Sequence, residues 1–303
     1  PSTACFTLRM FKTYNIKRFA RILRSLVKFT KYLFQLVINR NLFTVISNRL
    51  RVRRGRQPRL LPYPMSPTSK EWSARRINKL LNEIPFAKNY LEIGLSAGKT
   101  FQNVKFMFRV GVDPHPLFAL DKLPKQSTVF PITSDDFFAI CEESTFDLVF
   151  IDGLHTFEQT YRDLIHSLEL CPTGLILIDD VVPSDEFSAM RDEMDSQASR
   201  KKAGISGSSW HGDVFKVILC LSDHHPELSV RTIVGSGNPQ TLVWRKKLST
   251  KIESVKEFQL DKYMSVKYQD VFLDGPPDCF FVCSEEDAIR DATFGIRSQT
   301  TFS

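Results

Sequence analysis

The chain has 303 residues, 42% of them apolar, with 41 Lys and Arg against 34 Asp and Glu. A chain of this length and apolar content can bury a sizeable core, which excludes a protein that is disordered throughout. Its six cysteines include no C-x-x-C pair, and this scatter favours reduced thiols in a cytoplasmic compartment over a disulfide framework.

The basic charge is concentrated at the start of the chain. Residues 1–70 carry 16 Lys and Arg and no Asp or Glu, which leaves a net charge of −9 for residues 71–303. Residues 15–48 lack Pro and Gly, and basic and apolar residues recur there at helical spacing, so we predict an amphipathic helix with a basic face. The basic side chains at spacings of three and four are Lys17, Arg21, Arg24, Lys28 and Lys31.

This basic arm allows three interpretations. It can lie on an anionic membrane surface through residues 15–50, dock on the body or on a second subunit, or act as an organelle-targeting peptide. Basic residues interrupt each apolar run before it reaches 18 residues, so the arm is not predicted to span a bilayer. Nucleic-acid binding is disfavoured because the aromatic residues fall on the apolar face. Four prolines between residues 58 and 67 indicate a linker, and we assign residues 1–60 to arm and linker.

A strand, a glycine turn and a helix are predicted early in the body. Asn89–Ile93 is typical of a short buried strand, Gly94 and Gly98 bracket a tight turn, and residues 98–108 are typical of a helix. This arrangement offers free backbone N–H groups to a nucleotide-like ligand. The acid Glu92 lies inside the strand, and residue 96 is Ser, so the pattern is not the dinucleotide G-x-G-x-x-G. Such an acid would repel a pyrophosphate but not the cationic methionine end of S-adenosylmethionine.

Two further strands follow this turn. The strand over residues 108–113 ends in Asp113, 21 residues after Glu92, where a carboxylate can accept hydrogen bonds from both ribose hydroxyls. After a strand over residues 128–133, Ser134 and Asp135 either cap the next helix or meet an adenine edge. A strand-ending acid before a proline is the ordinary alternative for Asp113.

Two apolar strands in the body end in acids. Residues 146–152 and 174–180 are apolar almost throughout, which predicts strands buried on both faces. They end in Asp152 and in the pair Asp179 and Asp180, and the carboxyl ends of parallel strands form the ligand crevice of an open α/β sheet. Three converging carboxylates would repel one another unless a cation were present, and hard oxygen ligands suit Mg²⁺. The alternative is that one or two of these acids cap helices or face solvent.

The body is predicted to occupy residues 61–248 and to end in a helix and two strands, over residues 213–221, 227–234 and 241–245. His211 precedes this helix and stands beside Trp210 in a loop that can close over a substrate. Residues 249–303 are predicted to form a helical tail, with helices over 250–260 and 284–292, that packs against the body or contributes to a homodimer.

These motifs together resemble a known family. Over residues 70–248 the chain is similar to class I S-adenosylmethionine-dependent methyltransferases, and more narrowly to a small-molecule and sugar O-methyltransferase group with a D-G-x-H-[ST]-[YF]-E signature. The resemblance implies a Rossmann-like α/β fold, with a seven-stranded, mostly parallel sheet and helices on both faces. The residues that carry the resemblance are Glu92, Gly94, Gly98, Asp113, the run Ile151–Glu158, Asp163, Pro172, Gly174 and Asp180.

The resemblance also implies roles for individual residues. In a looser comparison with metal-dependent catechol-type O-methyltransferases, His155 stands where that group has a basic lysine. The residues expected to line the cofactor, from its methionine end to its adenine, are Glu92, Gly94, Ser96, Gly98, Asp152, Asp113, Ser134 and Asp135. The residues expected to bind the metal ion are Asp152, Asp179 and Asp180.

Methyl transfer to a hydroxyl needs an acceptor oxygen close to the methyl carbon and a group that takes the hydroxyl proton. Neutral histidine can accept a proton near pH 7. His155 is therefore the first candidate for the base and His211 the second. The alternative for both is a structural position beside a helix N-terminus.

We therefore predict an S-adenosylmethionine-dependent O-methyltransferase that acts on a hydroxyl of a small molecule or a saccharide. Mg²⁺ or a similar divalent cation is predicted to assist it. The predicted location is the cytoplasm, peripheral to a membrane if the arm binds one. Two alternatives stay open at this point: a nicotinamide-dependent Rossmann oxidoreductase, and a catalytically inactive, membrane-attached binding protein on a methyltransferase fold.

Overall fold

The computed structural model describes residues 72–300 apart from 85–86, 142–144, 236 and 249. The predicted arm and linker at residues 1–60, with the basic face and the membrane contact assigned to residues 15–50, lie outside the described residues, and those assignments stay predictions. Among the described residues, no helix is both long and apolar enough to cross a membrane.

One sheet organises the described residues. Its strands are β1 (Asn89–Ile93), β2 (Phe108–Val112), β3 (Ser127–Phe130), β4 (Leu148–Ile151), β5 (Leu175–Ile178), β6 (Leu228–Ile233), β7 (Gln240–Arg245) and β8 (Val282–Cys283). They lie in the order β3-β2-β1-β4-β5-β7-β6-β8, with β1 to β5 parallel and β7 antiparallel to both of its neighbours. This confirms the predicted α/β, Rossmann-like, mostly parallel sheet. The short β8, parallel to β6, adds an eighth strand that the sequence did not predict.

Helices connect and cover these strands. They are α1 (Trp72–Glu83), α2 (Lys99–Asn103), α3 (Ser134–Ile140), α4 (Phe157–Leu170), α5 (Glu193–Lys202), α6 (Lys216–His224), α7 (Glu257–Met264), α8 (Tyr268–Phe272) and α9 (Glu285–Thr300). The helix predicted over residues 250–260 was wrong in its position, because the chain becomes helical only at Glu257. The sequence also missed α5, which buries only Ser196 and Arg200 and so lacks the apolar stripe that predicts a helix.

Helices lie on both faces of the sheet, as predicted. On one face, buried residues of α1, α2 and α9 form a single apolar cluster with residues of β1, β4, β5, β6 and β7. On the other face, α4 contacts β4 and β5. All four residues of β4 and all four of β5 are buried, which confirms the sequence interpretation of two strands covered on both sides.

The strand order reverses between β1 and β4. After β3 at one end of the sheet, the chain returns to the other side of β1 to form β4. Helices before and after such a reversal lie on opposite faces, so a crevice opens outside the carboxyl ends of the two strands. The residues that follow Ile93 and Ile151 therefore lie at the natural binding position of this fold.

Helix α2 is shorter than predicted. It ends at Asn103, and Val104 already has an extended backbone. The Arg109 guanidinium of β2 donates to the carbonyl oxygens of Phe101 (3.3 Å) and Val104 (3.1 Å). A helix end needs partners for its last carbonyls, and a basic side chain from a neighbouring strand supplies them here.

A buried acid joins the first and last described helices. Glu285, at the start of α9, is 3% exposed and accepts hydrogen bonds from Arg75 (2.8 Å), Arg76 (2.9 Å) and Lys79 (2.5 Å) of α1. Burial alone would raise the pKa of Glu285, but the hydrogen bonds from these three cations outweigh it and lower the pKa to about 2. Since the folded pKa lies below the ordinary value of 4.5, this carboxylate stabilises the fold above pH 4.5 and loses that effect as the pH falls toward 2.

Glu285→Gln is expected to lower the free energy of unfolding at pH 7 by about 3 kcal/mol, because it removes one partner of a largely buried ion pair. The difference from the wild type should shrink as the pH falls from 4.5 to 2. Chemical denaturation at a series of pH values measures both effects. Glu286→Gln is the matched control, since the Glu286 side chain is 79% exposed and lies 3.7 Å from Lys79. Equal losses in the two variants would contradict the assignment.

Candidate active site

The glycine turn after β1 is pressed against the end of β4. Gly94 has a φ of 88° and donates its N–H to the carbonyl of Val112 (2.8 Å). A Cβ at position 94 would lie 1.9 Å from the backbone oxygen of Asp152. Only glycine fits both the positive φ and this approach, so residue 94 brings the glycine turn and the end of β4 together.

Asp113 organises the same turn from the end of β2. Its Oδ2 accepts hydrogen bonds from the backbone N–H groups of Leu95 (2.8 Å) and Ser96 (2.7 Å), and its Oδ1 accepts from that of His115 (2.6 Å). The carboxylate is half-buried at the edge of the crevice. It follows β2, where the sequence placed it, and its hydrogen bonds fix the backbone of the turn.

Glu92 is a buried acid inside β1, just before the glycine turn. The residue is 1% exposed, and its Oε2 accepts a hydrogen bond from the Tyr90 hydroxyl (2.7 Å). Burial raises the pKa of Glu92 to about 8, although the hydrogen bonds from the Tyr90 hydroxyl and the Phe101 N–H act to lower it. At neutral pH the side chain is therefore largely protonated. Its position inside β1 links the strand to the first turn of α2.

Three predicted residues converge where β4 and β5 end. Ligand atoms of Asp152, His155 and Asp180 all lie within 4.8 Å of one another. His155 Nδ1 lies 3.0 Å from Asp180 Oδ2, and its Nε2 lies 4.0 Å from Asp152 Oδ1. Burial raises the pKa of Asp152 well above its ordinary range, and the charges of Asp179 and Asp180 raise it further.

His155 is held by a carboxylate in a partly buried position. Burial alone would lower the pKa of His155, but the hydrogen bond and charge of Asp180 outweigh it and leave the pKa raised. The side chain is 21% exposed, and the Trp210 ring lies against it with 4.9 Å between the ring centroids. Trp210 is fixed in turn, because its Nε1 donates to the Met190 carbonyl (2.6 Å).

Asp179 does not join this group. Its Oδ1 instead accepts the backbone N–H of Asp180 (2.9 Å), and the side-chain amide of Gln240 acts to lower its pKa. Burial, with the charge of Asp180, raises the pKa of Asp179 to about 7. The Asp179 carboxylate, which the sequence had placed with Asp180 as a metal ligand, thus lies outside the group of ligand atoms within 4.8 Å, although its charge acts on Asp152.

His211 reaches the same carboxylate from a different loop. Its Nε2 lies 3.5 Å from Asp180 Oδ1 and 3.1 Å from the Ser209 hydroxyl, and its Nδ1 is buried without a hydrogen-bond partner. Burial lowers the pKa of His211, against the charge of Asp180. The sequence named both histidines, but it gave no sign that they flank a single carboxylate.

Two residues after His211 attach this loop to the His155 segment. A Cβ at Gly212, where φ is 61°, would lie 1.8 Å from the backbone oxygen of His155. Asp213 Oδ1 accepts the N–H of Phe157 (2.8 Å), and its Oδ2 lies 2.7 Å from Arg191 and 3.0 Å from Lys216. Asp213 therefore accepts a hydrogen bond from the first turn of α4. The sequence predicted a helix that starts at Asp213, but that helix, α6, begins only at Lys216.

The predicted adenine-side residues lie after β3. Thr133, not Ser134, caps α3, because the Thr133 hydroxyl accepts the N–H of Asp136 (3.1 Å). Gln159 Nε2 of α4 contacts Ser134 Oγ (3.1 Å) and Asp135 Oδ1 (3.1 Å). Ser134 and Asp135 are thus tied to α4, away from the group around His155.

Comparison with known proteins gives one family match. Residues 91–181, from β1 to the residue after Asp180, match a family model described as a methyltransferase domain. This stretch is less than a third of the chain, and it contains the glycine turn, Asp113, Asp152 and His155. No curated protein matches the sequence.

Solved structures show similarity at low sequence identity. Cofactor-bound Rv0187 from MTB is 19% identical, with 61% of this chain and 83% of that chain covered and a TM-score of 0.42. The SAH-bound methyltransferase PaMTH1 from Podospora anserina is 13% identical, with 57% and 77% covered and a TM-score of 0.39. MycE methyltransferase from the mycinamycin biosynthetic pathway, in complex with Mg and SAH, is 13% identical, with 60% and 50% covered and a TM-score of 0.39. At these values the likenesses carry no argument about ligands of this chain.

The raised pKa of Glu92 predicts a pH dependence of stability. Between pH 4.5 and 8 the folded chain holds a proton at Glu92 that the unfolded chain has lost. Glu92 therefore lowers the free energy of unfolding as the pH rises, by up to about 1.4 kcal/mol per pH unit. Glu92→Gln removes this contribution and should flatten the measured curve in that window. Denaturation from pH 5 to 8 checks it, with exposed Glu83→Gln as the control. An unchanged slope in Glu92→Gln would show that Glu92 is charged in the fold.

Proposed function

We propose that this chain is an S-adenosylmethionine-dependent methyltransferase that methylates a hydroxyl group of a small molecule or a saccharide. The observation that carries the proposal is the Asp180–His155 pair, in which Asp180 Oδ2 lies 3.0 Å from His155 Nδ1. The pair lies beside Asp152 and next to the glycine turn, where the strand order reverses. The methyltransferase-domain match of residues 91–181 supports the same class of reaction.

The residues at this edge suit a cationic cofactor. Burial raises the pKa values of Glu92 and Asp152, so a nearby positive charge would stabilise their ionised forms. S-adenosylmethionine carries a positive sulfonium and an amino group, and when bound it would supply the methyl group. The residues proposed to hold it are Gly94, Ser96, Gly98, Asp113 and Asp152, with Glu92 beneath the turn and with Ser134 and Asp135 toward the adenine.

The backbone of the turn speaks against a dinucleotide. A pyrophosphate bound in this position would need free N–H groups from the glycine turn. The N–H groups of Leu95 and Ser96 already donate to Asp113 Oδ2. A pyrophosphate would have to displace this carboxylate and would be repelled by it, which disfavours the nicotinamide-dependent oxidoreductase.

A divalent cation is part of the proposal. Asp152 and Asp180 would hold it, and both offer carboxylate oxygens within 4.8 Å of each other and of His155. Carboxylate oxygens suit Mg²⁺, and a bound cation would lower the pKa of an acceptor hydroxyl. It would also relieve the repulsion that raises the pKa of Asp152.

His155 is the proposed base. With Nδ1 protonated and donating to Asp180 Oδ2, the ring presents an unprotonated Nε2 on the side of Asp152. Asp180 would then fix the tautomer and orientation of the ring and stabilise the imidazolium formed when Nε2 takes the hydroxyl proton. Trp210 packs on the ring and limits its rotation.

His211 is the second candidate for the base. Burial lowers its pKa, so the ring is neutral near pH 7, and it shares Asp180 with His155. Its side chain is 10% exposed against 21% for His155, so His155 has the better access to an acceptor. We therefore assign His211 to support of the Asp180 carboxylate.

Cofactor binding is tested directly. S-adenosylhomocysteine should bind the wild type in calorimetry, and Asp113→Ala should weaken binding at least tenfold, since it removes the carboxylate that fixes the turn and faces the ribose position. Asp121→Ala, at an exposed acid outside the turn, is the control and should bind as the wild type does. Tighter binding of NAD than of S-adenosylhomocysteine would contradict the proposal.

The two histidines should separate in kinetics. His155→Ala should leave the affinity for S-adenosylhomocysteine unchanged and lower the rate of methyl transfer by about 10²–10⁴-fold, as expected for loss of a general base. His211→Ala should lower it less. The measurement is the initial rate of S-adenosylhomocysteine formation with an acceptor that the wild type methylates. A normal rate in His155→Ala together with a large loss in His211→Ala would move the base to His211.

A further inference from the structure

We propose that Asp179 is a positioning residue and not a metal ligand: it holds the backbone of Asp180 in a left-handed conformation and so aims the Asp180 carboxylate at His155. This inference rests on the proposed function, because it assigns the division of labour within the proposed site. The observations that carry it are the hydrogen bond between the two residues, the conformation of Asp180 and the contacts behind Asp179.

The two neighbouring acids face different surroundings. Asp179 and Asp180 follow β5 directly, and their carboxylates have different hydrogen-bond and ion-pair partners. Asp180 faces His155 Nδ1 at 3.0 Å and His211 Nε2 at 3.5 Å. Asp179 is 4% exposed and lies outside the group whose ligand atoms fall within 4.8 Å.

Asp180 has a backbone conformation that L-residues rarely adopt. Its φ is 59°, in the left-handed region, and a residue other than glycine needs support to stay there. The Asp179 carboxylate provides that support, because its Oδ1 accepts the Asp180 N–H at 2.9 Å. Without this acceptor, the N–H of a residue that is 6% exposed would lose its hydrogen bond, and the chain could relax toward ordinary strand geometry.

Asp179 is anchored by residues far away in the sequence. The side-chain amide of Gln240, the first residue of β7, acts to lower the pKa of Asp179, and the Asp179 carboxylate is attracted by the positive charge of Arg76. The Gln240 side chain is itself hydrogen-bonded to Arg76 and donates to Ser73 Oγ (2.8 Å). Arg76 is fully buried and is fixed by Glu285 and by the Asn238 carbonyl (3.0 Å).

These contacts form a continuous path from α1 and α9 through Gln240 to Asp179, and from the Asp179 oxygen to the Asp180 N–H. The path requires of residue 179 only an oxygen that accepts a hydrogen bond. A carboxylate that binds the cation also contributes its negative charge, so replacing it by an amide would weaken cation binding. Asparagine keeps the oxygen and loses the charge. Alanine loses both.

The experiment compares Asp179→Asn with Asp179→Ala in the full chain, with Asp152→Asn as the reference for loss of a ligand. Mn²⁺ binding is titrated in the presence of S-adenosylhomocysteine, and exchange of the Asp180 amide hydrogen is followed by NMR. Asp179→Asn should bind Mn²⁺ within about threefold of the wild type, and its Asp180 amide should stay protected. Asp179→Ala should bind Mn²⁺ about 10–100-fold more weakly, the usual effect of removing a residue that orients a ligand, and its Asp180 amide should exchange faster.

Two results would overturn the inference. One is a loss of Mn²⁺ binding in Asp179→Asn as complete as in Asp152→Asn, which would make Asp179 a ligand. The other is wild-type behaviour of Asp179→Ala in both measurements. If Asp179→Ala does not fold, the Mn²⁺ affinity of Asp179→Asn decides alone.

Failure of the proposed function gives a different pattern. If the wild type binds no Mn²⁺, the proposed cation is wrong, and the amide exchange then decides the inference. Protection of the Asp180 amide in the wild type and in Asp179→Asn, but not in Asp179→Ala, supports the positioning role. Equal exchange in all three rejects it.

Discussion

The burial of several carboxyl groups close together at one edge of the sheet is the constraint that shapes the rest of the site. Glu92 lies inside β1, and Asp113, Asp152 and the pair Asp179 and Asp180 directly follow β2, β4 and β5. Asp113 accepts three backbone N–H groups, Asp179 accepts one, and Asp180 lies between two imidazoles. The charges of Asp179 and Asp180 both act on Asp152, so a cation bound beside it would stabilise its ionised form.

The sequence predicted the strands and the position of the site better than it predicted the roles within the site. Apolar runs of four or five residues that end in Gly or Asp locate β1, β4 and β5 and their carboxyl ends, because a parallel sheet buried on both faces requires such runs. The convergence of parallel strand ends also predicted that Asp152 would lie close to the acid pair, and the resemblance to metal-dependent O-methyltransferases placed His155 there. The sequence could not tell Asp179 from Asp180, since the residues that act on Asp179, Gln240 and Arg76, are distant from it in the chain.

The errors of the sequence interpretation have the same origin. Helix α2 ends early because Arg109 of the neighbouring strand β2 donates hydrogen bonds to the carbonyl oxygens at its end. Asp213 caps α4, which begins 56 residues before it in the chain. Helix α5 is too polar to show a periodic apolar stripe. In each case the deciding contact is made across the fold, so local propensity and spacing carry little information about it.

The buried Glu285 limits where the chain can be truncated for recombinant expression. The family match ends at residue 181, and a cloning boundary chosen from it, or from the predicted end of the body at 248, would discard α9. That helix supplies the carboxylate shared by three cations on α1 and four buried residues of the apolar cluster on one sheet face. A recombinant fragment without α9 would have to bury Arg76 without the Glu285 carboxylate that neutralises its charge. Such a fragment would be recovered as aggregate.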